Sequence, residues 1–241
     1  MFDKEGLSIV PASALRKRDP IVIRGSFKPP TKVHMDMKAA AIKQFSVEDS
    51  VDKSNVLVVA EITMNELSGT GTDAGSDFLA RVDLLNDLGF SVLISDYLRF
   101  FRLRSWIRRY TPNRIGIMLS VLDFDYLFAE DYYDGLEGGI LEAFGKLFSD
   151  NTNVYVYPSI KNGKLITLDT VDVNPDLKFL LQHLVHNNAM VTAEIMDVAN
   201  LSVSAREIAL EIPKGRGDWE QSLPEKTVKS ILEKGLFGFP K

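Results

Sequence analysis

The sequence contains no cysteine and only 3 histidines in 241 residues. The lack of cysteine excludes disulfide bonds, thiolate metal sites and cysteine nucleophiles together, and it fits a reducing compartment. Basic residues are not in excess, because 28 lysines and arginines stand against 33 aspartates and glutamates. The net charge of -5 offers no global positive field, so we do not expect nucleic acid as a partner.

Long apolar stretches are also missing from the sequence. None approaches the roughly 20 residues needed to cross a bilayer, so no membrane partner is expected. The N-terminal stretch MFDKEGLSIV has acidic residues where a secretory signal needs a basic start and a long apolar run. We therefore expect a soluble, cytoplasmic protein, and assembly into a homo-oligomer stays open.

Short apolar runs alternate with amphipathic helical patterns over the first two thirds of the chain. They predict five strands, near residues 21–27, 55–62, 90–95, 114–120 and 153–157. Continuous apolar strands separated by helices are typical of a parallel sheet that is covered on both faces. We therefore predict a doubly wound, Rossmann-like α/β core over residues 1–160, in which the glycine-rich stretch from Leu67 to Ser76 is a loop.

The pattern changes after residue 160. Asn162 and Gly163 lie between two apolar stretches, which predicts a hairpin turn. A helix is expected near residues 176–186, followed by a polar region with further helices. We therefore predict that residues 161–241 form a hairpin and a helical C-terminal extension packed on the core.

The stretch RGSFKPPTKVH, residues 24–34, joins the first predicted strand to the first predicted helix of the core. Its polar and glycine positions are Gly25, Ser26, Lys28, Thr31, Lys32 and His34. In open α/β sheets ligands bind where strands end and helices begin, because helix N-termini offer unpaired amides and a partial positive charge. A glycine allows close approach to a phosphate, the hydroxyls and lysines can bind it, and the histidine can donate to a phosphate oxygen. The alternative is a simple turn with an incidental histidine.

This stretch resembles the signature G-x-F-[DN]-P-x-[TH]-x-G-H of the nucleotidylyltransferases, such as the nicotinate-nucleotide and pantetheine-phosphate adenylyltransferases. The resemblance puts Thr31 and His34 at the two phosphate-binding positions and Gly25 and Phe27 at the turn positions. It implies ATP as a substrate with Mg²⁺, and adenylyl transfer to a phosphate-bearing small molecule. Protein groups would then stabilise transition-state charge without forming a covalent intermediate.

The chain departs from the signature at two positions. Lys28 stands where the family has aspartate or asparagine, and Val33 stands where it has the glycine of x-G-H. With the stretch placed on the signature, the catalytic candidates are Thr31, His34 and Lys28. Ser26 is a candidate for binding the nucleotide, together with Gly25 and Phe27. The departures equally fit a degenerate, non-catalytic domain used for assembly or ligand sensing.

A second stretch, LSVSAREI at residues 201–208, is the nearest match to the family's I-S-S-T-x-x-R motif, with its arginine one residue early. The match implies that Ser202, Ser204 and Arg206 contact the nucleotide. The stretches SDFLARVDLL, ISDYLRFFRLRSW and YYDGLEGGILEAFGKLF resemble uncharacterised bacterial proteins with inconsistent labels, some adenylyltransferase and some TonB-dependent receptor. Only the first of these labels fits the predicted core.

Polar residues also follow the ends of other predicted strands. They are Glu61, Asn65, Ser95, Asp96, Tyr97, Asp123 and Asp125. Carboxylates gathered at one sheet edge can hold magnesium, or each can cap a helix. A further alternative is a hydrolase that uses Asp96, Asp123 and Glu137.

Two more segments have alternative interpretations. The predicted helix over residues 97–110 carries five arginines, which suit phosphate recognition or a solvated basic face, with Leu98 among the residues expected to cover the core. The segment EDYYDGLEGG, residues 130–139, can close over a ligand or bind a cation, or it can form a rigid connection. His183 and His186 are three residues apart without a third ligand nearby in sequence, so we expect no zinc site.

Overall fold

The structure is a computed structural model that describes residues 1–64, 74–149, 151–215 and 217–240. The predicted glycine-rich loop lies outside the described residues as far as residue 73, and so does Asn65. Within the described residues there is no helix with the length and apolarity to cross a membrane.

The described strands are β1 Asp19–Arg24, β2 Val56–Thr63, β3 Ser91–Ser95, β4 Ile115–Ser120, β5 Thr152–Tyr157, β6 Ser159–Lys161, β7 Lys164–Ile166 and β8 Met190–Thr192. The α-helices are α1 Pro11–Leu15, α2 Lys32–Phe45, α3 Ala74–Asp87, α4 Phe100–Arg108, α5 Phe124–Leu127, α6 Gly139–Leu147, α7 Lys178–His186, α8 Ala205–Glu211 and α9 Glu225–Lys234. Six strands form one parallel sheet in the order β3-β2-β1-β4-β5-β8. The predicted doubly wound α/β fold is confirmed.

The central strands are buried on both faces, as their continuous apolar runs predict. Along β1, Ile21 and Ile23 face a core cluster with α2 and α3, while Val22 faces a second cluster with α4, α6 and α7. All three side chains are fully buried. Alternate residues of a strand point to opposite faces, so an unbroken apolar run indicates that helices cover both sides.

The predicted hairpin is confirmed, with β6 and β7 pairing antiparallel around Asn162 and Gly163. Both turn residues have positive φ, 53° and 72°, as a tight hairpin turn requires. Residues after 161 also supply β8, which pairs in parallel with β5 and was not among the five predicted strands. Beyond it, residues from Val203 to Phe239 form a small separate core around Trp219 and Ile231.

Candidate functional site

The turn between β1 and α2, residues 25–31 and called the Gly25 turn below, is a compact structure. The Gly25 amide donates to the Glu61 carbonyl (3.2 Å), and the Ser26 carbonyl accepts from the buried guanidinium of Arg81 (3.1 Å). Phe27 has a φ of 47° and is fully buried. A Cβ at Gly25 would lie 3.3 Å from the Phe27 ring, so the glycine is explained by this close approach as well as by any ligand.

His34 lies on the first turn of α2 and folds back over the turn. Its Nδ1 accepts from the Thr31 amide at 2.9 Å and lies 2.8 Å from the Thr31 hydroxyl. The ring centroid is 4.7 Å from that of Phe27. Because a backbone amide can only donate, Nδ1 is the acceptor nitrogen and the ring proton of the neutral imidazole lies on Nε2.

Burial lowers the pKa of His34 to about 4, so the ring is neutral at pH 7. Within the part of the chain that the structure describes, its Nε2 has no hydrogen-bond partner. A neutral histidine with a free Nε2–H is a donor for an anion. It stands at the N-terminus of a 14-residue helix, where the partial positive charge favours anions as well.

The other residues of the Gly25 turn divide into buried and exposed ones. Thr31 is fully buried, so in this conformation its hydroxyl contacts His34 and faces no ligand directly. Pro29 and Pro30 are buried beside it, while Lys28 and Lys32 are exposed. Val33 is half-buried and packs against the core cluster that includes α2 and α3.

A charged network joins the ends of β1, β2 and β3, and it adds Arg24 to the predicted strand-end residues Glu61 and Ser95. Arg24 Nε contacts Glu61 Oε2 at 2.5 Å, and the Ser95 hydroxyl donates to Glu61 Oε1 at 2.5 Å. The two terminal nitrogens of Arg24 donate to the Leu98 carbonyl (2.5 Å) and the Tyr97 carbonyl (2.6 Å). Glu61 is fully buried. We call Arg24, Glu61 and Ser95 the Arg24 clamp; the signal for it was an arginine directly at a strand end, opposite a glutamate at the next.

The strand-end carboxylates do not converge. Asp96 and Asp125 are exposed, and so is Glu137. Asp123 Oδ2 accepts from the Ser120 amide (3.0 Å), which fits the capping interpretation, and burial raises the pKa of this carboxyl to about 6. Among the described residues no three histidine, aspartate or glutamate side chains are grouped so that they could hold a metal ion.

The arginines of α4 serve the fold more than a basic surface. Arg104 is buried and donates to the Thr152 hydroxyl (3.0 Å) and the Ser149 carbonyl. Arg108 donates to the carbonyls of Thr111 and Asn113. The expectation that Leu98 covers the core is wrong, since α4 begins at Phe100 and Leu98 is 47% exposed.

The segment of residues 130–139 is held by its tyrosines. The Tyr132 hydroxyl donates to the Leu98 carbonyl (2.6 Å), and that of buried Tyr133 donates to the Leu127 carbonyl (2.8 Å). Gly135 and Gly139 have φ values of 85° and 52°, where other residues are strained. These contacts favour the rigid connection over a lid.

The second motif lines a cavity of about 570 Å³ beside the N-terminus of α2. Ser202 and Ser204 lie on its wall together with Lys32 and Trp219, whereas Arg206 is exposed on α8 and is not part of the lining. The Ser204 hydroxyl accepts from the Glu207 amide (3.3 Å) and so caps α8. We call this space the serine cavity.

The serine cavity connects the two sequence motifs through a single residue. Lys32, the first residue of α2, belongs to the Gly25 stretch and lines the cavity. Gly25, Ser26, Thr31 and His34 are not part of the lining. The two motifs therefore lie on adjacent parts of one sheet edge, with Lys32 between them.

Solved structures with the same fold are known. Two structures of the nicotinic acid mononucleotide adenylyltransferase of Plasmodium falciparum, one complexed with NaAD and one with APC, each match with a TM-score of 0.57 at 12% identity. Each alignment covers 92% of this chain and 98% of the other. No family model matches the chain, and no curated protein matches it in sequence. The chain therefore shares its fold with these structures, and the predicted Rossmann-like architecture is confirmed.

Proposed function

We propose that the chain is a nucleotidyltransferase-like protein that binds ATP and a phosphate-bearing small molecule at the edge of the sheet where β1 ends. The observation that carries the proposal is His34, whose Nδ1 is occupied by Thr31 and whose Nε2–H is left to donate at a helix N-terminus. The similar adenylyltransferase structures were determined with NaAD and APC, which supports a nucleotide as the ligand here.

The reaction we propose is adenylyl transfer. A phosphate oxygen of the acceptor attacks the α-phosphorus of ATP, the bond from that phosphorus to the bridging oxygen breaks, and pyrophosphate leaves. Mg²⁺ would arrive as part of the ATP complex, because the described residues offer no group of three ligands for it. Magnesium commonly binds in this way, through substrate phosphates and one or two carboxylates.

Each candidate residue has a role that follows from its position. His34 donates to a phosphate oxygen, and Thr31 orients the His34 ring. Lys28, in the Gly25 turn, and Lys32, the first residue of α2, are exposed cations that attract the triphosphate. Gly25, Ser26 and Phe27 shape the turn. Ser202 and Ser204 would contact the nucleotide from the serine cavity, and Arg206 can reach it only from outside the lining.

The test is calorimetric titration with ATP and Mg²⁺. We expect saturable binding that His34→Ala weakens at least about tenfold, because one hydrogen bond to a charged group is worth about 1.5–3 kcal/mol. His183→Ala is the matched control, since His183 is an exposed histidine on α7. Circular dichroism must show that both variants fold. Equal affinity in His34→Ala and wild type, or no binding by either, contradicts the proposal.

Binding without catalysis is the second candidate. It is favoured by the full burial of Thr31, because a residue at a phosphate-binding position of the signature then faces no ligand directly. A screen of phosphate-bearing acceptors for pyrophosphate release separates the two, since a binding domain retains ATP affinity and releases none. Release of inorganic phosphate alone would point instead to the hydrolase alternative.

A further inference from the structure

The carboxylate of Asp36 joins three parts of the fold at one oxygen atom. Asp36 lies on α2, two residues after His34, and is 7% exposed. Its Oδ2 accepts from the amides of Met196 and Asp197, both at 3.2 Å, and from the hydroxyl of Tyr157 at the end of β5. Two backbone amides and a buried phenol therefore depend on this one acceptor.

The segment that Asp36 holds leads directly into the serine cavity. Asp197 accepts from the Ala199 amide (3.0 Å) and starts a short 3-10 helix, Val198–Ser202. Leu201 is buried in this helix, and Ser202 at its end lines the cavity. A shift of the Met196–Asp197 backbone would therefore move the part of the cavity wall that carries Ser202.

Other contacts between α2 and this part of the chain involve residues that are not part of the cavity lining. Gln44 accepts from the Glu194 amide (2.8 Å) and donates to the Thr192 carbonyl (3.1 Å). Lys43 pairs with Glu194 at 2.5 Å, and both side chains are about half exposed, 57% and 44%. These contacts fix the end of β8, whereas Asp36 fixes the backbone that enters the cavity wall.

We infer that Asp36 is a positioning residue, which holds the cavity wall that carries Ser202 in the position that a bound nucleotide requires. It does not touch the ligand itself. The inference rests on the proposed function for the identity of the ligand, and on the contacts above for the position of the wall.

The experiment compares Asp36→Ala with Asp36→Asn and with the control Lys43→Ala, which removes an exposed contact of the same helix. Amide hydrogen exchange at Met196 and Asp197 is measured by NMR. Emission of Trp219, on the cavity wall, is followed with Trp106→Phe in the background. ATP dissociation constants are measured at a temperature at which circular dichroism shows each variant to be folded.

In Asp36→Ala we expect exchange at both amides to accelerate about tenfold or more, Trp219 emission to shift, and the ATP dissociation constant to rise about tenfold. Asp36→Asn keeps an acceptor oxygen, so it is expected to recover part of each effect. Lys43→Ala should match the wild type within about twofold. This order of variants supports the inference, and a purely structural role would lower stability without changing affinity in the folded protein.

The inference is overturned if the amides of Met196 and Asp197 exchange in Asp36→Ala at the wild-type rate. It is also overturned if these amides lose their protection while the ATP dissociation constant stays unchanged. If Asp36→Ala does not fold, Asp36→Asn is judged by the same criteria against wild type. A wild-type protein that binds no ATP overturns the proposed function, and exchange together with Trp219 emission then decides whether Asp36 holds the cavity wall.

Discussion

The polar residues on the two sides of β1 have opposite surroundings. Toward β2 and β3, Arg24, Glu61 and Ser95 bind one another, and the carboxylate of Glu61 is fully buried. On the other side, Lys32 and Ser202 are both part of the lining of a cavity of about 570 Å³. Polar side chains at this edge of the sheet therefore satisfy one another on one side of β1, and on the other side they line a cavity.

The largest effect on stability is expected on the side of β1 that faces β2 and β3, where the Arg24 clamp lies. Glu61→Ala leaves the Arg24 guanidinium without its carboxylate in a site that is 15% exposed, which should lower the free energy of unfolding by about 3–5 kcal/mol. Urea denaturation measures it. The exposed pair of Lys43 and Glu194 gives the control, since Lys43→Ala should cost less than about 1 kcal/mol. Equal losses in the two variants would mean that the Arg24 clamp is no more than a surface contact.

The next effect concerns His34, whose pKa falls to about 4 on folding because the ring is buried. Between about pH 4 and 6.5 the unfolded chain binds this proton more readily than the folded one, so His34 makes stability rise with pH in that window. The contribution is complete above about pH 6.5, and about 3 kcal/mol of it is lost as pH falls to about 4. In His34→Gln this part of the pH dependence should vanish, as measured by urea denaturation across the window.

Asp123→Asn is the opposing control for that measurement. Burial raises the pKa of Asp123 to about 6, so the folded state binds this proton more readily, and the contribution of Asp123 falls as pH rises from about 4 to 6. Removing the carboxyl should therefore steepen the rise of stability with pH, whereas His34→Gln should flatten it. Slopes that change in the same direction in both variants would contradict the burial of one of the two groups.

The strands were predictable from the sequence where they are buried on both faces and therefore consist of continuous apolar residues. Ile21–Ile23 and Ile115–Leu119 are buried on both faces, so every position had to be apolar or small. The strand β8 has three residues and pairs on one side only, with β5. The run Met190–Thr192 is too short to be distinguished from a loop by its sequence. This sixth strand is defined by its pairing with β5, which the local sequence does not reveal.

The spacing of residues in the sequence predicts only the local part of the candidate site, whereas Ser202 and Ser204 were named through the resemblance of the second motif. The Gly25 turn and the cap of α2 involve residues within ten positions of each other, so their spacing in the sequence carries the geometry. The Arg24 clamp joins residues 37 and 34 positions apart, and Asp36 reaches residues 160 and 161 positions away. Which charged residues meet over such separations is decided by the strand order, which has to be known first.

The smallest effect is expected at Lys32, in the lining of the serine cavity. Its charge is exposed at the first position of α2, where a cation adds to the attraction of the helix N-terminus for an anion. Lys32→Ala should weaken ATP binding about two- to fivefold, since an exposed ion pair contributes about 0.2–1 kcal/mol. Raising the salt concentration should shrink this difference, because exposed charges are screened over about 10 Å at 0.1 M. Lys43→Ala, in the last turn of the same helix, removes the same charge and should leave affinity unchanged. If both lysine variants weaken ATP binding equally, the attraction comes from the protein's overall charge. Lys32 then has no specific role in binding between the Gly25 turn and the serine cavity.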